Sequence, residues 1–132
     1  MSIKPLTLVA AAATLLLVAA NCKTYADAPA KAPAMMSNGV LVSASGATLY
    51  VFDKDAANSG KSVCNGPCAM LWPPLMAAAG DQPAGDYSIV TRDDGSRQWA
   101  YKGKPVYTYK SDQKAGDRMG DNFKDVWHTI KE

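Results

Sequence analysis

The chain has 132 residues and a formal net charge of +2, a length that suits one domain. Lys4 and Lys23 lie in a leading segment that reads as removable, and taking them from the 14 basic residues leaves 12 against 12 acidic ones. A near-neutral surface of that kind excludes nucleic-acid binding through a basic face and a polybasic membrane patch.

Met1 to Lys4 carries one positive charge, and Leu6 to Ala20 is an unbroken run of Leu, Val, Ala and Thr. That is the layout of a secretory signal peptide, too short and alanine-rich for a membrane span. Small residues at Thr24-Tyr25-Ala26 place cleavage after Ala26, so residues 1–26 read as signal peptide. The alternative is lipidation of Cys22, since Val18-Ala19-Ala20-Asn21-Cys22 half resembles a bacterial lipobox, although no leucine stands three before the cysteine. Residues 27–38 alternate alanine and proline before Met35-Met36 and are expected to be a disordered tether.

Residues 39–132 are expected to form the folded domain. Val40–Ser43 and Thr48–Phe52 flank Ser45-Gly46 and read as a hairpin. A polar loop follows, from Lys54 to Pro67. Its Asp53, Asp55 and Asn58 fail the spacing of a calcium-binding loop, because Ala57 stands where a ligand belongs. Cys64 and Cys68, separated by three residues, stand on the far side of that loop, and in an exported protein they are expected to form a disulfide. The alternative is a copper or thiol-redox site in which Met70 or Met76 and the single histidine, His128, complete a soft ligand set around Cys64 and Cys68.

Met76 to Gly85 reads as a small-residue linker. Tyr87–Arg92 and Arg97–Tyr101 read as strands joined through the turn Asp93-Asp94-Gly95-Ser96, and Lys102-Gly103 turns into a third, giving a meander. Gln113 to Asn122 is a glycine- and aspartate-rich loop, after which Phe123 and Trp127 bring the chain back onto the core.

One stretch is written twice. Gly46-Ala47-Thr48-Leu49-Tyr50-Val51-Phe52-Asp53-Lys54-Asp55 returns as Gly103-Lys104-Pro105-Val106-Tyr107-Thr108-Tyr109-Lys110-Ser111-Asp112. Strand alternation puts Tyr50 with Phe52, and Tyr107 with Tyr109, on one face. Leu49, Val51 and Val106 fall on the other, so these strands are expected to be covered on both sides. Asp55 and Asp112 come where each strand ends and are expected to brace turns. Trp72, in Leu71-Trp72-Pro73-Pro74-Leu75, and Trp127, in Val126-Trp127-His128-Thr129-Ile130, close the two units. The fold class that follows is all-β: one small domain of two pseudo-symmetric antiparallel β-meander repeats, about residues 39–76 and 86–132. Neither half carries a core of its own.

These residues, together with Arg92-Asp93-Asp94-Gly95 and the run Gln98-Trp99-Ala100-Tyr101-Lys102-Gly103-Lys104-Pro105, resemble the bacterial secreted-repeat lipoproteins described by a Yx(FWY)xxD motif. The resemblance covers the chain from about Gly39 onward. It implies an exported bacterial protein, often lipid-anchored, with no assigned biochemical role and no catalytic residues to carry over.

The function expected is therefore a non-enzymatic envelope module, periplasmic or secreted, held at the outer membrane only if lipid-anchored. It would bind an envelope protein or small ligand without a cofactor, and it has no transmembrane span in its mature form. An aromatic contact face drawn from Tyr87, Trp99, Tyr101 and Tyr109 is one candidate surface. The copper or thiol-redox protein is the alternative. No nucleophile elbow or phosphate loop is written in the chain, and the single histidine follows a core tryptophan.

Overall fold

The computed structural model describes residues 32–132 together with Ser2. The rest of the expected signal peptide, Cys22 included, and residues 27–31 of the expected tether lie outside the described residues. Residues 34–37, expected to be the end of that tether, are instead a strand, β1 (Ala34–Ser37), paired antiparallel with β2 (Val40–Ser43). The reason is the Asn38-Gly39 dipeptide between them. Both residues have positive φ, 50° and 83°, the backbone of the two-residue turns whose twist matches that of paired strands.

The next strand, β3 (Tyr50–Phe52), is reached through the Ser45-Gly46 turn, and Thr48 bridges back to Val42. In the second repeat β4 (Tyr87–Thr91), β5 (Arg97–Tyr101) and β6 (Lys104–Pro105) form the meander, with Tyr87 opposite Tyr101 and Ala100 opposite Pro105. Lys102-Gly103 makes the second turn with two positive φ values, 49° and 84°. The last strand is β7 (Trp127–Thr129), entered from a 3-10 turn at Phe123–Asp125. One element was not expected: the short helix α1 (Pro67–Leu71), with Pro67 in its first turn and Gly66 at its N-cap, where proline's missing N–H costs nothing.

The two halves meet in the middle of a ladder. Tyr50 N donates to Tyr107 O at 2.8 Å, and Tyr107 N donates to Tyr50 O at 2.9 Å, so a pseudo-dyad runs between the two tyrosines. Outside them stand Thr129, opposite Tyr50, and Pro74, opposite Tyr107. Each repeat thus lends its tryptophan segment to the other repeat's strands. Leu75 N bonds to Val106 O at 3.1 Å and Trp99 N to Leu75 O at 2.8 Å, while on the other side Leu41 N bonds to Ile130 O at 2.9 Å. Met76 bridges Gln98 just as Lys131 bridges Val40. Neither half has a complete sheet without the other.

Alternation along the ladder sends its side chains into two cores. Tyr50, Phe52, Cys64, Trp72, Tyr107 and Trp127 form an aromatic core on one face. Leu49 and Val106 turn the other way and pack with Ala34, Leu41 and Trp99, with Val51 beside them. The ladder is covered on both faces, which is why its strands are apolar at successive positions.

Candidate functional site

The duplicated tyrosines and aspartates meet across the dyad, not within their own repeats. Tyr50 Oη donates to Asp112 Oδ2 at 2.5 Å and Tyr107 Oη donates to Asp55 Oδ2 at 2.5 Å. The other oxygen of each carboxylate accepts a loop N–H: Val63 N to Asp55 Oδ1 at 2.7 Å, and Met119 N to Asp112 Oδ1 at 2.9 Å. Each aspartate therefore ties a long loop to the opposite repeat, a wider reach than the local turn expected from its place in sequence. Both tyrosines are fully buried. Burial first, and the bond to the carboxylate second, push both phenols well above the ordinary tyrosine value, while the Gly120 N–H on Tyr50 and the Ser62 hydroxyl on Tyr107 oppose the shift.

The pairs differ in what lies behind them. The Tyr107 O–H is already donated to Asp55, so at 2.5 Å the Ser62 hydroxyl is the donor to Tyr107 Oη. Ser62 Oγ in turn accepts from Arg92 Nη1 at 3.0 Å. A guanidinium only 6% exposed and a carboxylate only 1% exposed are thus joined through two hydroxyls. Arg92 also donates to Gln98 Oε1 at 2.7 Å, Cys64 O at 2.5 Å and Asn65 Oδ1 at 3.1 Å. Every one of those acceptors is neutral, and the network satisfies a buried charge that would otherwise be costly. Sequence reading placed Arg92 at a strand end and missed this role; an arginine opening the turn Asp93-Asp94-Gly95 was the only available signal.

The aromatic core is a stacked column. Phe52 lies on Trp127 at 4.3 Å between centroids, Trp127 on Trp72 at 3.8 Å, and Trp72 on Tyr109 at 4.1 Å. Tyr50 and Tyr107 meet Trp72 and Trp127 edge-on at 5.4 and 5.1 Å, the orientation favoured by the ring quadrupoles. The dyad passes between the tryptophans, so each motif's second aromatic, Phe52 or Tyr109, covers the tryptophan of the other repeat.

Each end of the column has a surface. At the Tyr109 end, Lys110 N bonds to Leu71 O at 2.9 Å, and Gly120 lies so close to Trp72 that a Cβ there would come within 2.5 Å of the indole. Leu71, Lys110 and Met119 each adjoin one of the three residues in that contact. They line an open cleft of about 700 Å³ with Gln113, Lys114 and Asp117, whose Oδ2 accepts from the Gln113 and Lys114 N–H groups, and in it Leu71 is 52% and Met119 66% exposed. The Phe52 end is built alike: Asp53 N bonds to Val126 O at 2.8 Å, and Val63 is 56% exposed where the other end carries Met119. Here the charged residue is acidic, and Asp53 Oδ2 lies 2.8 Å from His128 Nε2, whose Nδ1 lies 3.1 Å from Asn122 Oδ1. The two ends share a backbone and differ in charge.

Other residues singled out in the sequence are dispersed. Tyr87 and Tyr101 pair across β4 and β5 at 5.3 Å and Tyr87 meets Trp99 edge-on at 6.5 Å, but Trp99 is buried in the aliphatic core and Tyr109 belongs to the column on the other face of the ladder. Cys64 and Cys68 are joined in a disulfide, so the thiolates that a copper or dithiol site needs exist only after reduction. Met70 stands exposed on α1, and His128 is engaged with Asp53 and Asn122. Among the described residues no helix is long and apolar enough to cross a membrane.

Two interlocked copies of one β-unit around a shared aromatic column define a duplicated-repeat protein. A family model described as a secreted repeat of unknown function matches residues 34–76 and 88–131, and the chain belongs to that family. The first matched repeat begins at the start of β1, which places that strand inside the repeat. No curated protein matches the chain, and no solved structure does.

Proposed function

We propose that the protein is a non-enzymatic binding module of the cell envelope, and that its contact surface is the cleft at the Tyr109 end of the aromatic column. The observation that supports this most is the pair Leu71 and Met119. Two large apolar side chains are more than half exposed, next in sequence to the stacked Trp72 and to Gly120 beneath it, and they share the cleft with Lys110 and Lys114. Exposed apolar surface rimmed by charge marks contact sites, and methionine adapts to varied partners. The partner chemistry that fits is an apolar segment flanked by acidic groups.

The test is a photo-cross-linking side chain placed at Met119 of the exported protein in its native host, with Asp94 as the control position. A discrete adduct at 119 that disappears in the Leu71→Glu variant supports the reading. No adduct at 119, or equal adducts at both positions, overturns it.

A further inference from the structure

The contacts at the centre of the joint between the repeats occur twice, whereas the Arg92 bonds to Ser62, Cys64 O and Asn65 occur once. Tyr50 to Asp112 answers Tyr107 to Asp55. Phe52 on Trp127 answers Tyr109 on Trp72. The Leu75 to Val106 and Trp99 contacts answer those of Ile130 to Leu41. By contrast, the connection between the repeats holds little. Residues 78–80, 82, 83, 85 and 86 are exposed, and the ties of that segment to the rest are Arg97 donating to Ala78 O at 3.3 Å and to Asp81 O at 3.0 Å, and Lys102 N donating to Asp86 O at 2.8 Å where the segment enters repeat two. Its other bonds are local, such as Ala78 N to Asp81 Oδ2 at 2.7 Å.

From this we infer that a second copy of this chain is a partner: repeat one of each copy can pair with repeat two of the other, with residues 78–86 opening as a hinge. All cross-repeat hydrogen bonds and both cores are conserved in such a closed dimer. It differs from the monomer only in hinge conformation and in the concentration needed for assembly. A short flexible connection presents its own repeat at an effective concentration in the millimolar range, so dimers accumulate when chains fold together near that concentration and stay trapped on dilution. The aromatic column, its two end surfaces and the disulfide would each be present twice.

The experiment uses two full-length variants. Val51 and His128 are directly opposite on β3 and β7, so in a Cys22→Ser background exchange of repeats brings Val51→Cys of one copy against His128→Cys of another, and the dilution control separates that bond from chance collision of surface thiols. Equimolar copies are unfolded, refolded together at about 1 mM, oxidised and analysed by intact mass. A covalent heterodimer is expected, which vanishes when each copy is refolded alone at a thousandfold dilution before mixing. The double variant Val51→Cys/His128→Cys calibrates the geometry by closing within one chain.

If the double variant closes and the mixture stays monomeric, the proposal is overturned. If the double variant does not close, the hinge decides. Ala77 bonds to β5 at Arg97 while Tyr87 pairs with its far end at Tyr101, a span of about 13 Å along the strand. Removing residues 79–85 leaves about 10 Å of fully extended chain, too short for the repeats to fold back on each other. That variant is expected to double its mass in solution with near-ultraviolet dichroism intact. A monomer with intact dichroism, or an unfolded chain at every concentration, overturns the proposal.

Discussion

Tyr107 donates a hydrogen bond to Asp55 and accepts one from Ser62, whose oxygen in turn accepts from the Arg92 guanidinium. Two buried charges on different repeats are thereby joined without touching, and the tyrosine hydroxyl is the middle of the chain. The equivalent bond on the other side, Tyr50 to Asp112, ends at the backbone N–H groups of Gly120 and Met119.

That asymmetry predicts unequal costs for equal substitutions. Tyr107→Phe and Asp55→Asn are each expected to lower stability by about 2–3 kcal/mol, because a charge-assisted bond is lost and a buried partner left short. Tyr50→Phe and Asp112→Asn should cost less, since Asp112 is only half-buried and water can replace part of the bond. Denaturant unfolding of the four single and two double variants measures this. A coupling energy of about 1–3 kcal/mol in the Tyr107/Asp55 cycle is expected, and additivity there would contradict the network.

The raised phenol values fix a pH dependence. Both native-state tyrosines titrate above the unfolded value of about 10, by burial and then by the neighbouring carboxylate. The unfolded chain therefore loses these protons first. Stability is whole below about pH 10 and falls as pH rises beyond it, by up to about 1.4 kcal/mol per pH unit for each tyrosine. Tyrosinate absorbance from Tyr50 and Tyr107 should rise together with loss of near-ultraviolet dichroism, and Tyr50→Phe should make the fall shallower. Ionisation of both while the dichroism survives would show that the phenols are not enclosed.

Gly120→Ala tests the column. Its Cβ would meet Trp72 at 2.5 Å and Tyr109 at 3.1 Å, so a stacked ring must move. Overpacking of this kind costs about 1–3 kcal/mol. Leu71 and Lys110, the neighbours of Trp72 and Tyr109 in sequence, line the cleft, and tryptophan emission should shift together with stability. Gly103→Ala should be destabilising for two reasons, its φ of 84° and a Cβ 2.1 Å from the Asn58 side chain. Unchanged melting of Gly120→Ala would mean that the Trp72–Tyr109 contact is looser than its geometry.

The disulfide closes a very short loop, with a sequence separation of 4. Chain-entropy reasoning therefore assigns it only about 2 kcal/mol. The double replacement Cys64→Ala/Cys68→Ala should keep the fold and lose about that much, plus the packing of the buried Cys64 sulfur against the aromatic core. Guanidinium unfolding with and without reductant measures it. Complete loss of the near-ultraviolet signal on reduction would instead make the bridge a condition of folding.

Much of the architecture was legible because it depends on patterns short in sequence. The repeat of glycine, tyrosine, aromatic and aspartate marked the duplication, alternation at Leu49-Tyr50-Val51-Phe52 marked a strand covered on both faces, and Asp93-Asp94-Gly95-Ser96 marked the turn between β4 and β5. Two local signals were outweighed by composition. Asn38-Gly39 closes a hairpin but stood beside an alanine- and proline-rich stretch, and Pro67 begins α1 inside what reads as polar loop.

By itself the sequence determined the two copies, their strand periodicity and the residue types that fill the core, since these follow from steric rules acting over a few residues. Only the tertiary structure decided that each tyrosine bonds the aspartate of the opposite repeat, that Trp72 and Trp127 stack on one another, and that Leu71, Lys110 and Met119 share a cleft. Identical motifs are chemically blind to which copy they belong to. The choice between pairing within a repeat and pairing across the dyad is made by how the chain closes on itself, and no local pattern encodes that.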